Sequence, residues 1–256
     1  MKRLLVGDSR EKLLETIELI VKHWGYRLVA STRPEPLVEM LEAAPTDLLI
    51  LGPSMLLDSD SPLNNLVRKK IVEEGCPVII IGEVGVADPL QEPHDYIDAP
   101  VDIFDLFALV QKHLEKFPRK NLRLAVRLPG LIRSGLASHL AEVLSLSREG
   151  LFIKSGFLLE RGAEVTIDLP LLGMKKELQL VGKVLYRVHP GAENNYLQGL
   201  GIGFEPSENP DQRTLEAFIE RRFLGELAGR QGGPPPVDPE QIKSHDPPNP
   251  RDKAPS

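Results

Sequence analysis

Arg123 and Arg127 stand four residues apart, and a second run, Ser145-Leu-Ser147-Arg-Glu-Gly150, follows downstream. A planar guanidinium forks onto phosphate oxygens or onto the Hoogsteen edge of guanine, so two arginines on a flexible lead-in segment can converge on one anionic ligand. Ser147 adds a small donor and acceptor, and Gly150 allows a tight turn and close approach of backbone N–H groups. The same residues also read as two solvated surface charges and a hairpin turn. No equally complete catalytic constellation occurs elsewhere in the chain.

The order RxxxR then SxSxxG resembles the PilZ family of bacterial cyclic di-GMP receptors, whose second motif is [DN]xSxxG. Arg123, Arg127, Ser147 and Gly150 match, while Ser145 stands where the family carries Asp or Asn. The resemblance continues into Gly199-Leu-Gly201-Ile-Gly203-Phe204, which is similar to the glycine-rich closing strand of that barrel, and it extends over roughly residues 119–230. It implies a ligand site for cyclic di-GMP made by Arg123, Arg127, Ser145, Ser147 and Gly150, with no catalytic residue and no metal. A shorter neutral Ser145 makes a weaker contact to guanine than Asp would. Leu122 in place of a further basic residue implies one ligand molecule rather than an intercalated pair.

A chain of 256 residues suggests about two domains, and its mild net charge of −6 argues against a nucleic-acid binder that works through a broad basic surface. A local basic pocket for a small anion remains compatible with that balance. No apolar run approaches the length of a membrane span, and the opening residues reach Gly7-Asp8-Ser9 too early for a signal peptide, so a cytoplasmic protein is expected. Cys76 is the single cysteine, which excludes an intramolecular disulfide, and it precedes an apolar strand as a packing residue does. The histidines show no metal-ligand spacing.

Elements to position the arginines come in two classes. Residues 1–118 alternate short apolar runs around 4–6, 27–29, 47–51, 78–81 and 95–97 with helical stripes such as Leu13, Ile17, Ile20, Val21 and Trp24, or Ile103, Phe107, Val110 and Leu114. Five βα units fit this interval, predicting an α/β domain with a doubly wound five-stranded parallel sheet. These runs resemble the successive strands of response-regulator receiver domains. The resemblance places Gly52 at the phosphoacceptor position, Gly82 at the hydroxyl position and Ala99 at the lysine position, leaving Asp8 alone of the acidic pair.

Phosphoryl transfer needs a nucleophilic carboxylate and a metal, and glycine supplies neither. A phosphorylation-independent pseudoreceiver is therefore expected, with Asp47 and Asp58 unable to replace the acid and Asp8 capping the first helix or lying as a surface charge. Such a domain serves as a protein-binding or dimerisation surface, which leaves a homodimer open.

From Leu136 to Phe204 the pattern changes to strands over 140–147, 150–155, 163–170, 177–188 and 197–204, divided by Gly, Pro and Asn. They predict a small all-β barrel, with Gly199, Gly201 and Gly203 on one closely packed face. A terminal helix over 209–230 carries Leu215, Phe218, Ile219 and Phe223 as its apolar stripe and Glu220-Arg221-Arg222 as its solvated face. From Gln231 the Pro-rich composition predicts a disordered tail over 231–256. The expected function is a non-enzymatic cyclic di-GMP effector acting on a signalling or motility protein. The alternative is a ligand-independent adaptor built from two degenerate domains.

Overall fold

The apolar runs of the N-terminal half form a parallel sheet in the computed structural model, which describes residues 2–171, 176–205, 210–229 and 238–245. Strands β1 (Arg3–Gly7), β2 (Arg27–Ser31), β3 (Leu48–Leu51), β4 (Val78–Ile81) and β5 (Asp95–Ile97) pair in parallel in the order β2-β1-β3-β4-β5. This is the receiver-like order, in which the chain reverses direction across the sheet at β1 and β3. Leu4, Leu5, Leu48, Leu49, Ile50, Ile79 and Ile80 are all fully buried, which explains why the central strands β1, β3 and β4 read as continuous apolar runs rather than alternating ones.

Helices α1 (Glu11–His23), α2 (Pro34–Ala43), α3 (Pro62–Glu74) and α4 (Ile103–Leu114) supply the cover. Trp24 beyond α1 meets Phe107 of α4 edge to face at 5.1 Å, while Leu37 and Leu41 of α2 pack with Leu63 and Val67 of α3 over Leu5, Leu49 and Ile80. Start and stop signals are local. Ser61 accepts from the Asn64 amide ahead of Pro62, Gly75 ends α3 at φ 63°, and Asp102 accepts from the Phe104 amide to cap α4. Cys76 is buried and donates to the Thr46 carbonyl, and burial pushes its thiol up to about 11.

Five βα units were expected here, and the structure has four helices. The link from β4 to β5 over residues 82–94 contains no helix. Gly82, Gly85, Pro89 and Pro93 interrupt that stretch, so no apolar stripe at helical spacing can form. A bridge between Glu83 and Val86 shapes its start, and Leu90 reaches into the core in place of a helix face.

The C-terminal half holds six antiparallel strands: β6 (Leu124–Ser134), β7 (Ala137–Ser147), β8 (Gly150–Lys154), β9 (Glu164–Leu171), β10 (Lys176–Val188) and β11 (Gly199–Phe204). They close as β10-β11-β8-β7-β6-β9, leaving no free sheet edge between neighbours. Leu128, Ile132, Val143, Ile153, Ile167, Leu180 and Leu200 fill the interior. The reading of a flexible segment bearing both arginines is corrected. Arg127 lies inside β6, and the strand alternates buried Leu124, Val126 and Leu128 with exposed Ala125, Arg127 and Pro129. Pro129 and Gly130 masked that alternation in the sequence.

Glycine is required where strands crowd. A Cβ at Gly199 would sit 2.1 Å from the Ile153 carbonyl oxygen, one at Gly150 2.4 Å from that of Ile202, and one at Gly201 2.2 Å from the Tyr186 ring. Helix α5 (Pro210–Gly229) buries Leu215, Phe218, Ile219 and Phe223, the expected stripe.

Two expectations at this end change. Glu220 belongs to no solvated face: it is 7% exposed and accepts from the amide and Nδ1 of His245 at 2.9 and 2.7 Å. The tail expected to be disordered is ordered over its described residues, 238–245. Ile242 is 3% exposed and pairs in parallel with Val101, whose amide donates to the Gln241 carbonyl at 2.9 Å. One isoleucine with two flanking polar residues supplies an anchor that average composition hides. The rest of that tail lies outside the described residues. The compact units divide between Lys120 and Asn121, with Leu224–Ser244 joining the first.

Candidate functional site

The β7–β8 hairpin builds one recess of about 170 Å³, lined by Arg123, Ser145, Ser147, Gly150, Asn121, Glu149, Phe152, Leu185 and Tyr186, among others. Ser147 and Gly150 face each other across the two-residue turn Arg148-Glu149. The Ser147 hydroxyl donates to the Gly150 carbonyl at 2.9 Å, so it fixes the turn and retains its oxygen as an acceptor. Gly150 has its ordinary backbone on the negative side of φ; its necessity comes from the close approach of β11.

Bulges set which side chains reach this recess. Ala125 pairs with Ser145 and Leu128 with Val143, so β6 carries one extra residue there, while β7 carries one at Leu144 opposite β8. A third bulge at Leu185 in β10 presents Leu185 and Tyr186, which are about half exposed. Extra residues of this kind redirect side chains locally. Phe152 and Tyr186 stack at 6.3 Å with a 15° interplanar angle, giving the recess an aromatic wall.

Arg127 goes elsewhere. It lines a second recess of about 650 Å³ with Leu140, Glu142, Lys154, Tyr196 and Gln198. Four residues of extended chain separate the two arginines by about 13 Å along the backbone, so they do not close on a single phosphate as a helical i, i+4 pair would. Among the described residues neither Arg123 nor Arg127 has an ion-pair partner. Both are exposed cations. Of the five expected ligand residues, the structure gathers Arg123, Ser145, Ser147 and Gly150 and sets Arg127 apart.

Asn121, Glu149, Phe152 and Tyr186 were missed by the sequence reading. Asn121 donates to Glu149 Oε2 at 2.6 Å and accepts from Arg148 Nε at 3.3 Å. Glu149 stands at a variable place inside the second motif, where no spacing rule marks it, and the aromatic pair joins strands distant in sequence.

Residues 116–221 match the family model described as PilZ domain. This segment is a PilZ domain. The chain is also similar to several solved structures. The PilZ domain of YcgR from Escherichia coli with c-di-GMP shares 14% identity, covering 46% of this chain and all of that one, at a TM-score of 0.37. The Bacillus subtilis inhibitor of motility MotI/DgrA shares 14%, covering 42% of this chain and 52% of that chain, at 0.37. A response regulator from Chloroflexus aurantiacus shares 20%, covering 45% of this chain and 98% of its own, at 0.38. No curated protein matches. The PilZ assignment stands on the family match and on the closed barrel.

The N-terminal sheet has its own candidate site at the C-terminal ends of β1, β3 and β4. Asp8 is neither a helix cap nor a surface charge, as the sequence suggested, but is 2% exposed and clamped by Arg10. Its Oδ1 accepts from Arg10 N and Nε at 2.9 and 2.8 Å, and its Oδ2 from Nη2 at 2.7 Å. Arg10 also donates to the Ile81 and Gly82 carbonyls at 2.9 and 2.7 Å. Burial disfavours its charge, but the bonds to Asp8 and the fields of Asp8 and Glu83 outweigh that and raise its pKa. A Cβ at Gly52 would lie 2.4 Å from Asp8 Oδ2, and one at Gly82 2.4 Å from the Tyr96 hydroxyl. Asp47 opens β3 by accepting from the Arg3 amide at 2.7 Å, at the other end of the strand. Among the described residues no three His, Cys, Asp or Glu side chains group to hold a metal ion, and no helix is long and apolar enough to cross a membrane.

Proposed function

We propose that this chain is a non-enzymatic effector that binds cyclic di-GMP through its PilZ domain and signals that occupancy to a protein partner. The supporting observation is the exposed, unpaired Arg123 at a recess where Ser145, Ser147 and Gly150 converge beside the Phe152–Tyr186 wall. YcgR, one of the similar structures, is a PilZ domain with c-di-GMP.

A recess of about 170 Å³ is smaller than the roughly 300–1,000 Å³ of whole-ligand pockets, so it takes one end of the ligand. Arg123 contributes a fork for phosphate or for guanine O6 and N7, and Ser145 and Ser147 contribute short acceptors and donors. The larger Arg127 recess receives the other end, with Lys154 as a second cation and Tyr196 as a stacking face. Two separated cationic points suit a ligand with two phosphates better than they suit a single phosphate.

In the N-terminal unit the salt bridge of Asp8 with Arg10 occupies the corner where a receiver would carry out phosphoryl transfer, which supports a phosphorylation-incompetent domain. The Arg10 guanidinium holds both carboxylate oxygens of Asp8, and Gly52 offers no nucleophile.

Calorimetric titration of the full chain with cyclic di-GMP tests the binding step, with Arg123→Ala as control. Saturable micromolar or tighter binding that Arg123→Ala weakens tenfold or more is expected. Absence of binding by the native chain would leave the ligand-independent adaptor, the reading that Ser145 favours. Partner capture with and without ligand tests the relay.

A further inference from the structure

The recess at the β7–β8 hairpin contains a carboxylate that its sequence motif does not assign. We propose that Glu149 is the guanine-specificity residue of this site, supplying the acid that Ser145 lacks. The inference rests on the cyclic di-GMP reading above and adds to it which side chain distinguishes guanine from adenine.

Three observations carry it. Among the described residues Glu149 is the sole acidic side chain lining the recess. Its carboxylate is oriented from one side only: Asn121 Nδ2 donates to Oε2 at 2.6 Å, and Asn121 is itself held by Arg148 Nε at 3.3 Å. Oε1 has no protein partner among the described residues and is free to accept. The backbone below it is fixed as well, because the Glu149 carbonyl accepts from the Phe204 amide at 2.8 Å. A side chain at the second place of a two-residue turn is thereby held near one orientation.

The chemistry of the purines then decides between ligands. The Watson–Crick edge of guanine presents two donors side by side, N1–H and the 2-amino group, and a carboxylate accepts from both through charge-assisted bonds. Adenine presents a donor at its 6-amino group next to the unprotonated N1, whose lone pair opposes a carboxylate oxygen. Ser145, opposite Phe152 in the β7–β8 register, is shorter and uncharged, so it cannot make the paired contact. Arg123 offsets the local negative charge and is free for phosphate or for O6 and N7. Phe152 and Tyr186 supply the apolar wall against which a base can stack, and base–aromatic stacking accepts either purine. Selectivity is therefore left to the edge contact.

The test is titration calorimetry of the full chain and of Glu149→Gln with cyclic di-GMP, cyclic di-AMP and cyclic di-IMP, which lacks the 2-amino group. Glu149 is exposed, so the variant is expected to fold, and thermal melting of both proteins confirms it. The native chain should prefer cyclic di-GMP over cyclic di-AMP by tenfold or more. Glu149→Gln should weaken cyclic di-GMP about tenfold or more, leave cyclic di-AMP unchanged or improved, and reduce the penalty for removing the 2-amino group. Native binding that depends on Arg123 but is untouched in affinity and preference by Glu149→Gln overturns the role of Glu149 and leaves the effector reading standing. No binding by the native chain overturns both.

Discussion

An aspartate introduced at position 52 will not act as a phosphoacceptor, because its place is already filled. In Gly52→Asp the new Cβ falls 2.4 Å from Asp8 Oδ2 and 2.7 Å from Asp8 Cγ. Asp8 cannot swing aside, since three donors of Arg10 hold it at 2.7 to 2.9 Å and Arg10 is tied to the Ile81 and Gly82 carbonyls at the end of β4. The steric part resembles overpacking of a dense core, about 1–3 kcal/mol. The charge part adds a second carboxylate about 4 Å from the first, worth about 4 kcal/mol of repulsion at an effective dielectric near 20, part of which Arg10 offsets.

Gly52→Ala should therefore lose about 1–3 kcal/mol and Gly52→Asp more, on the order of 3–6 kcal/mol. Trp24 is the single tryptophan and stands against Phe107 in the same unit, so its fluorescence in a urea titration reports this unit directly. With a urea slope of about 1–3 kcal/mol per molar, the Gly52→Asp midpoint should fall by about 1 M or more. Neither the native chain nor Gly52→Asp should take up phosphoryl label from a small phosphodonor with Mg²⁺. A Gly52→Asp protein of native stability that is labelled would refute the argument that the Asp8–Arg10 pair holds this corner shut.

Three further outcomes follow from the geometry. Gly199→Ala should destabilise the barrel more than Gly201→Ala, by about 1 kcal/mol or more in denaturant, because its Cβ meets the backbone oxygen of Ile153 whereas that at Gly201 meets the half-exposed Tyr186 ring, which can move; equal losses would contradict this. Burial raises the Cys76 thiol from 9.0 to about 11, so the unfolded chain ionises first and stability should fall as pH rises from about 9 to 11, by about 1.4 kcal/mol per unit, an effect that Cys76→Ala removes. Ile242→Ala should speed hydrogen exchange at the amides of Val101 and Lys243, which bond across that bridge, and unchanged exchange would show that Ile242 does not anchor the segment.

Periodicity made both domains legible because the central strands of the sheet and the strands of the barrel each follow one rule. Buried parallel strands read as unbroken apolar runs, and the barrel strands read as alternation between turns. The failures occur where one residue overrides that pattern. Five βα units imply a helix between β4 and β5, although two glycines and two prolines over residues 82–94 prevent one. Asp8 was expected as a helix cap or a surface charge, because its partner Arg10 follows only two residues later, at a spacing that signals nothing in a strand-to-helix turn.

The candidate site shows a finer limit of the same kind. Spacing alone places Arg123 and Arg127 together, as it would on a helix, yet Arg127 lies within β6 and Arg123 just before it, and four residues of extended chain span about 13 Å. Bulges then decide which recess each side chain faces. An inserted residue leaves almost no mark in a sequence, because it changes the pairing and not the composition. At Ala125/Leu128, Val143/Ser145 and Val184/Tyr186 that single step of register brings Ser145, Tyr186 and Arg123 to one recess and leaves Arg127 to another. The motif thus names the strand ends that line the candidate recesses, while the register between strands determines which of its residues share one.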